Sequence, residues 1–194
     1  MKMKLLPLLI ALAAATPAVA NSLVSPGVRP GIARSKLAAT PVGEWNRLSR
    51  VGGNNVEVWT IDGDLLNKIS FYGGIGRGRT LLRQVDRKRQ PLPQVSATML
   101  LTDIPALLET TYRAQGAVVQ MSIDTQQPAT LGTRKAIRFT YSFTRSTDEV
   151  QRKGEAIGTM VDGALYLVTY EAPSLYFFDR DIAKYRALLN SLAL

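Results

Sequence analysis

The sequence predicts an α+β domain: a largely antiparallel β-sheet packed by an amphipathic middle helix and a C-terminal helix. Three observations predict it. Ile137, Phe139, Tyr141 and Phe143 alternate with Arg138, Thr140, Ser142 and Thr144, a period-two run that marks a strand with one buried face. Two stretches rich in β-branched and aromatic residues fold back at Asp62-Gly63-Asp64 and Asp162-Gly163, the mark of hairpins. Apolar residues also recur at helical spacing twice, once before Gly116 and once at the C-terminus.

The N-terminus reads as an address rather than as structure. Lys2 and Lys4 precede an apolar stretch from Leu5 to Ala15, and Thr16-Pro17-Ala18-Val19-Ala20 ends in small residues at the A-x-A spacing. This order of charge, apolar core and small residues predicts a secretory signal peptide over residues 1–20, cleaved after Ala20. The apolar run is shorter than the ~20 residues that span a bilayer, so no transmembrane anchor is expected in the mature chain. The expected location is therefore the periplasm or outside the cell.

Residues 21–42 hold Pro26, Gly27, Pro30, Gly31 and Pro41 with isolated basic residues, and read as an extended arm or linker of little value to the core. A short edge strand fits near Leu37–Thr40. Residues 43–194 form the single expected domain. In it, Val56–Ile61 and Leu65–Tyr72 make the first hairpin, with Leu65, Ile69 and Phe71 on one face. Gly73 to Pro93 is a long irregular segment. Ile104, Leu107, Leu108, Thr111 and Tyr112 then share a helix face, with Thr102 or Asp103 to cap it, Pro105 in the first turn and Gly116 to end it. Ala117, Val119, Met121 and Ile123 alternate before the period-two run. Glu155–Val161 and Ala164–Tyr170 make the second hairpin. The last of these strands is apolar on both faces, Leu165 and Leu167 against Tyr166, Val168 and Tyr170, which predicts a central strand covered on both sides. Phe178, Ile182, Tyr185, Leu189 and Leu192 place the apolar face of the closing helix on the sheet.

This order of elements resembles PsbP-like α/β/α domains over about 150 residues. The segment Glu57-Val58-Trp59-Thr60-Ile61-Asp62-Gly63, with Asn67 and Phe71-Tyr72-Gly73-Gly74 after it, also resembles uncharacterised secreted proteins of proteobacteria. The likeness implies an extracytoplasmic accessory or binding subunit rather than an enzyme. It carries over no functional residue, because no binding motif of the family matches positions here.

Composition narrows the chemistry. The chain has 194 residues, 24 basic and 15 acidic, for a net charge of +9, and its hydrophobic share of 46% suits a globular domain. Loss of Lys2 and Lys4 with the leader leaves 22 basic side chains against 15 acidic ones, or +7. There is no cysteine, which excludes disulfides, thiol catalysis and iron–sulfur ligation. There is no histidine, which removes the usual zinc ligand, the commonest general base and the Ser-His-Asp mechanism. Neither G-x-S-x-G nor S-x-x-K occurs. No cofactor, no metal and no catalytic residue is expected.

The candidate site is a basic cluster, Arg77, Arg79, Arg83, Arg87, Lys88 and Arg89, offset within its span only by Asp86. The planar fork of arginine suits phosphate and carboxylate groups, so the expected partner is an anionic envelope component or an acidic protein. Nucleic acid is not expected, because the cluster lacks interleaved aromatics for base stacking. The glycines from Gly73 to Gly78 match neither a P-loop nor a dinucleotide fingerprint and read as a strand end with a loop. The close acidic pairs Asp62/Asp64 and Asp179/Asp181 have structural reasons, a turn and a helix start. Two alternatives to a binding module stay open: a small hydrolase that uses carboxylates, or a structural envelope protein that self-associates through a sheet edge. Tyr166, Tyr170, Tyr176, Phe177 and Phe178 read as core around the final helix.

Overall fold

A computed structural model describes residues 21–49, 52–53, 55–116 and 118–194. The expected signal peptide and its cleavage site lie outside the described residues. Those described form one eight-stranded antiparallel sheet with a helix on each face. In chain order the elements are β1 (Ser22–Val24), β2 (Trp45–Arg47), β3 (Val56–Thr60), β4 (Lys68–Ile75), α1 (Ile104–Ala114), β5 (Val118–Leu131), β6 (Arg134–Arg145), β7 (Gln151–Val161), β8 (Ala164–Pro173) and α2 (Phe177–Asn190). The strands lie side by side as β1-β2-β3-β4-β8-β7-β6-β5.

The α+β class follows from the patterns that predicted it. β8 is central, between β4 and β7, and its side chains divide as the sequence implies. Leu165 and Leu167 pack under α1, while Tyr166, Val168 and Tyr170 pack under α2. The run Ile137, Phe139, Tyr141 and Phe143 is buried on the α1 face. Asp162 and Gly163 both take positive φ, 51° and 76°, as a two-residue hairpin turn with the twist of its strands requires. α1 begins with Pro105 in its first turn and stops before Gly116, whose φ is +67°.

Five local expectations do not hold. Residues 21–41 are not peripheral to the core: Ile32, Ala33, Leu37 and Ala39 are buried on the α2 face. Backbone bonds tie this segment down, Ile32 N–H to Leu37 O at 2.9 Å and Ala38 N–H to Ala193 O at 2.9 Å. Ala33 N–H also donates to the Glu57 carboxylate at 3.1 Å. Around Leu37–Thr40 there are two isolated bridges, Arg29 to Ala39 and Ala38 to Ala193, in place of a regular strand. Leu65 lies in the turn before β4 and is exposed, because the 61–67 loop is longer than a tight hairpin. Val119 is exposed and Val118 takes the inward place, because the pairing of β5 with β6 shifts between Val118 and Gln120. Tyr176 is also exposed, unlike buried Tyr170 and Phe178.

β5 forms the outer edge of the sheet and carries Pro128 and two register shifts. Both features blunt edge-to-edge pairing, which weakens the case for self-association through this strand.

Candidate functional site

The basic segment is an anchored loop. Its two ends run together as a narrow antiparallel pair: Gly78 N–H donates to Val95 O at 2.9 Å, Val95 N–H to Arg79 O at 2.9 Å, and Thr80 bridges Gln94. Leu81, Leu92 and Val95 are buried, and Leu81 and Val95 join the core beside α1. These apolar anchors leave the basic residues between them in solvent, with Val85 at the exposed tip. Apolar positions thus hold the loop to the body while its basic positions project.

The glycines before the loop have a packing role. A Cβ on Gly73 would lie 2.4 Å from Ser35 Oγ, because the turn at residues 32–35 crosses β4 there. Gly73 N–H donates to Asn55 O at 2.9 Å, and the Asn55 amide donates back to Gly73 O at 3.0 Å. Gly73 and Gly74 therefore belong to β4, and only Gly76 and Gly78 belong to the loop.

An open cleft of about 550 Å³ lies between the loop, the residues that lead into β3 and the end of β4. Arg79, Arg83 and Arg87 line it, together with Asn55, Thr80 and Gln94. Arg77, Lys88 and Arg89 do not line it. The six residues of the sequence cluster thus divide into a cleft triplet and an outer triplet. All six are exposed, and among the described residues none of their side chains makes a hydrogen bond or an ion pair. Asp86 is spent locally, accepting from the backbone N–H groups of Lys88 at 3.1 Å and Arg89 at 3.0 Å. What remains is a concave patch of unused guanidinium donors.

A second polar cluster, which sequence reasoning missed, lies on the α1 face. Tyr141, Gly154, Glu171 and Lys68 are register partners in a row across β6, β7, β8 and β4. Gly154 leaves room for the Tyr141 ring to lie across β7 and bring its hydroxyl to Glu171 Oε1 at 2.8 Å. Tyr112 descends from α1 to the same oxygen at 2.5 Å. Lys68 Nζ stands 3.0 Å from Glu171 Oε2. Burial works to raise the Glu171 carboxyl, but the Lys68 ammonium and the two tyrosine hydroxyls outweigh it and hold it below the ordinary carboxylate value. Burial and the Glu171 charge push the hydroxyls of Tyr112 and Tyr141 well above their ordinary value.

The close acidic pairs have structural work. Asp181 is buried and accepts from Lys184 at 2.9 Å and from the Asn67 amide at 3.1 Å. Arg180 bridges Asp181 to Asp62. Asp64 stays exposed. The buried carboxylates Glu155, Glu171 and Asp181 each face a cation: Arg186, Lys68, and Lys184 with Arg180. A hydrolytic pair requires one carboxyl raised to act as an acid, and Glu171 and Asp181 are both held down. Among the described residues no three acidic side chains group so as to hold a metal ion.

With this geometry in hand, known proteins give a likeness in shape. The cyanobacterial PsbP of Synechocystis sp. PCC 6803 superposes with a TM-score of 0.52 over 95% of this chain and 98% of its own, at 13% identity. The likeness is one of fold. Two further structures match more loosely. The Ran-binding protein Mog1p of Saccharomyces cerevisiae has a TM-score of 0.46 at 8% identity, over 91% of this chain and 96% of its own. LpqN of Mycobacterium tuberculosis, involved in cell envelope biogenesis, has a TM-score of 0.35 at 8% identity, over 91% and 85%. No family model and no curated protein matches the sequence. The PsbP-like arrangement expected from element order is therefore present as a fold, and it transfers no site residue.

Proposed function

We propose that this chain is a secreted or periplasmic, non-enzymatic binding or accessory protein of the cell envelope that engages an anionic partner through its basic loop. The observation that carries the reading is the convergence of Arg79, Arg83 and Arg87 on one cleft without a described acidic neighbour in ion-pair range. Guanidinium groups held near one another and left unpaired favour an incoming phosphate or carboxylate, and they steer it from a distance at low salt. In this reading residues 1–20 export the chain. The outer triplet Arg77, Lys88 and Arg89 adds long-range attraction but little contact. The anions within reach of such a protein are lipid headgroups, lipopolysaccharide phosphates, peptidoglycan carboxylates and acidic proteins.

Binding of residues 21–194 to anionic vesicles, lipopolysaccharide and peptidoglycan, measured across salt, tests the reading. Retention on at least one of these surfaces, lost on combined Arg79→Ala, Arg83→Ala and Arg87→Ala, is the expected result. Retention unchanged in the triple variant, or absent from all three surfaces in the native chain, would overturn it.

A further inference from the structure

Lys68 and Glu171 of the row across the α1 face, with Tyr112, line a second cleft of about 350 Å³, between α1, the sheet and the root of the basic loop. Its walls are apolar: Val56, Val58, Leu82, Val118 and Phe143. Its polar groups are unevenly matched. Glu171 Oε1 accepts from Tyr112 and Tyr141, while Oε2 stands in an ion pair 3.0 Å from Lys68 Nζ and accepts no hydrogen bond among the described residues. Lys68 has further N–H groups to give, since an ammonium donates three hydrogen bonds and, among the described residues, Glu171 is its one ion-pair partner. Half-buried Arg145 also faces the cleft, and its guanidinium hydrogen-bonds to no described residue. The Tyr72 hydroxyl, beside Ser70 and Tyr112, and the Gln115 amide add donors. Against them stands Asp64, the one carboxylate of the lining besides Glu171, and it is exposed. The cleft therefore offers apolar walls and a surplus of donors, two of them cationic. A buried ion pair beneath two tyrosines adds little net stability over an apolar core, so the row has the character of a support for Lys68 rather than of a staple.

We propose that this cleft binds a small monocarboxylate with an apolar body, the carboxylate received by Lys68 and Arg145 and the body by Val56, Val58, Leu82 and Phe143. The site is independent of the basic-loop reading, although Leu82 lines both clefts. Its volume falls within the range of small-molecule sites and suits a ligand of modest size. Glu171 is a positioning residue here: it fixes the Lys68 ammonium at the floor and touches no ligand itself.

Three probes with one decyl chain and different heads separate the parts of the claim: decanoate, decanol and decyltrimethylammonium, titrated calorimetrically below their micelle concentrations. Saturable one-to-one binding of decanoate is expected, at least roughly tenfold tighter than decanol, with no binding of the cationic probe. Arg145→Gln should weaken decanoate by about tenfold, leaving decanol unchanged and the unfolding midpoint of the free protein unmoved. Val58→Phe, which narrows the cleft without touching a charge, should weaken both. Equal affinity for decanoate and decanol, or no effect of Arg145→Gln, would overturn the assignment of the carboxylate. Absence of decanoate binding would overturn the site itself. Loss of decanoate binding in the Arg79, Arg83 and Arg87 triple variant would place the ligand in the other cleft and refute the proposal while leaving the basic-loop reading intact.

Discussion

Replacing Gly154 by alanine tests the row on which the α1 face is built. The added Cβ would stand 2.1, 2.4 and 2.6 Å from three atoms of the Tyr141 ring. That ring is fully buried, with Phe139 and Phe143 each at a centroid distance of 5.9 Å. It would have to retreat by more than about 1 Å to restore ordinary contact. Forcing a methyl into a packed core costs about 1–3 kcal/mol. Pulling the hydroxyl from the Glu171 carboxylate removes a charge-assisted bond worth about 1.5–3 kcal/mol. The sum, roughly 2.5–6 kcal/mol, corresponds to a fall of roughly 5–25 °C in Tm for a domain this size. Alanine is otherwise the better strand residue, because glycine loses more backbone entropy on folding, so any loss belongs to the clash. Urea denaturation followed by circular dichroism reads the effect. A double-mutant cycle sharpens it. With Tyr141→Ala the Gly154→Ala cost should fall below about 1 kcal/mol, whereas with Tyr141→Phe, which keeps the ring, about 1–3 kcal/mol should remain. A loss under about 1 kcal/mol in the native background, or an equal loss in the Tyr141→Ala background, would refute the packing argument.

Three further outcomes are expected. Asn67→Ala should cost roughly 2–4 kcal/mol by urea denaturation, because buried Asn67 accepts from Ile61 N–H at 2.8 Å and donates to Asp62 at 2.7 Å. A loss under about 1 kcal/mol would contradict its role in the turn. Because the Glu171 carboxyl is held below its ordinary value of about 4.3, its contribution to stability should be present above that pH and fade as pH falls through the lowered value. Glu171→Gln should flatten that part of the stability–pH profile. At the other end, the raised hydroxyls of Tyr112 and Tyr141 should make stability fall as pH rises past about 10, and Tyr141→Phe should lessen the fall. Arg83→Ala and Arg87→Ala should each change stability by less than about 0.5 kcal/mol in thermal melts, since both side chains are exposed and neither pairs with a described residue.

What was legible in the sequence is what periodicity can carry. The alternation from Ile137 to Phe143, the two apolar faces of β8 and the helical spacing from Phe178 to Leu189 each report a local geometry, and each lies where expected. The Leu37 segment was not legible, because its few apolar residues follow no period; they are buried one by one as the chain crosses the sheet. The far half of β5, Asp124 to Thr130, is polar and contains Pro128. It is a strand because β6 pairs with it, not because of its own preference. Val119 faces outward despite the alternation of its segment, because a register shift reverses inward and outward without changing composition. The basic cluster was visible as charge, but its division into cleft and outer triplets depends on where Leu81 and Leu92 anchor the loop. The Glu171 row was invisible, since its four members come together only through strand pairing.

The most direct measurement compares two variants of equal charge on vesicles containing an anionic phospholipid at near-physiological salt, where screening sets in over about 8 Å. One variant carries Arg79→Ala, Arg83→Ala and Arg87→Ala, and the other Arg77→Ala, Lys88→Ala and Arg89→Ala. Loss of binding in the first with most of it kept in the second is the predicted result. Equal weakening in both would mean that net charge alone attracts the surface, and would contradict the assignment of the cleft.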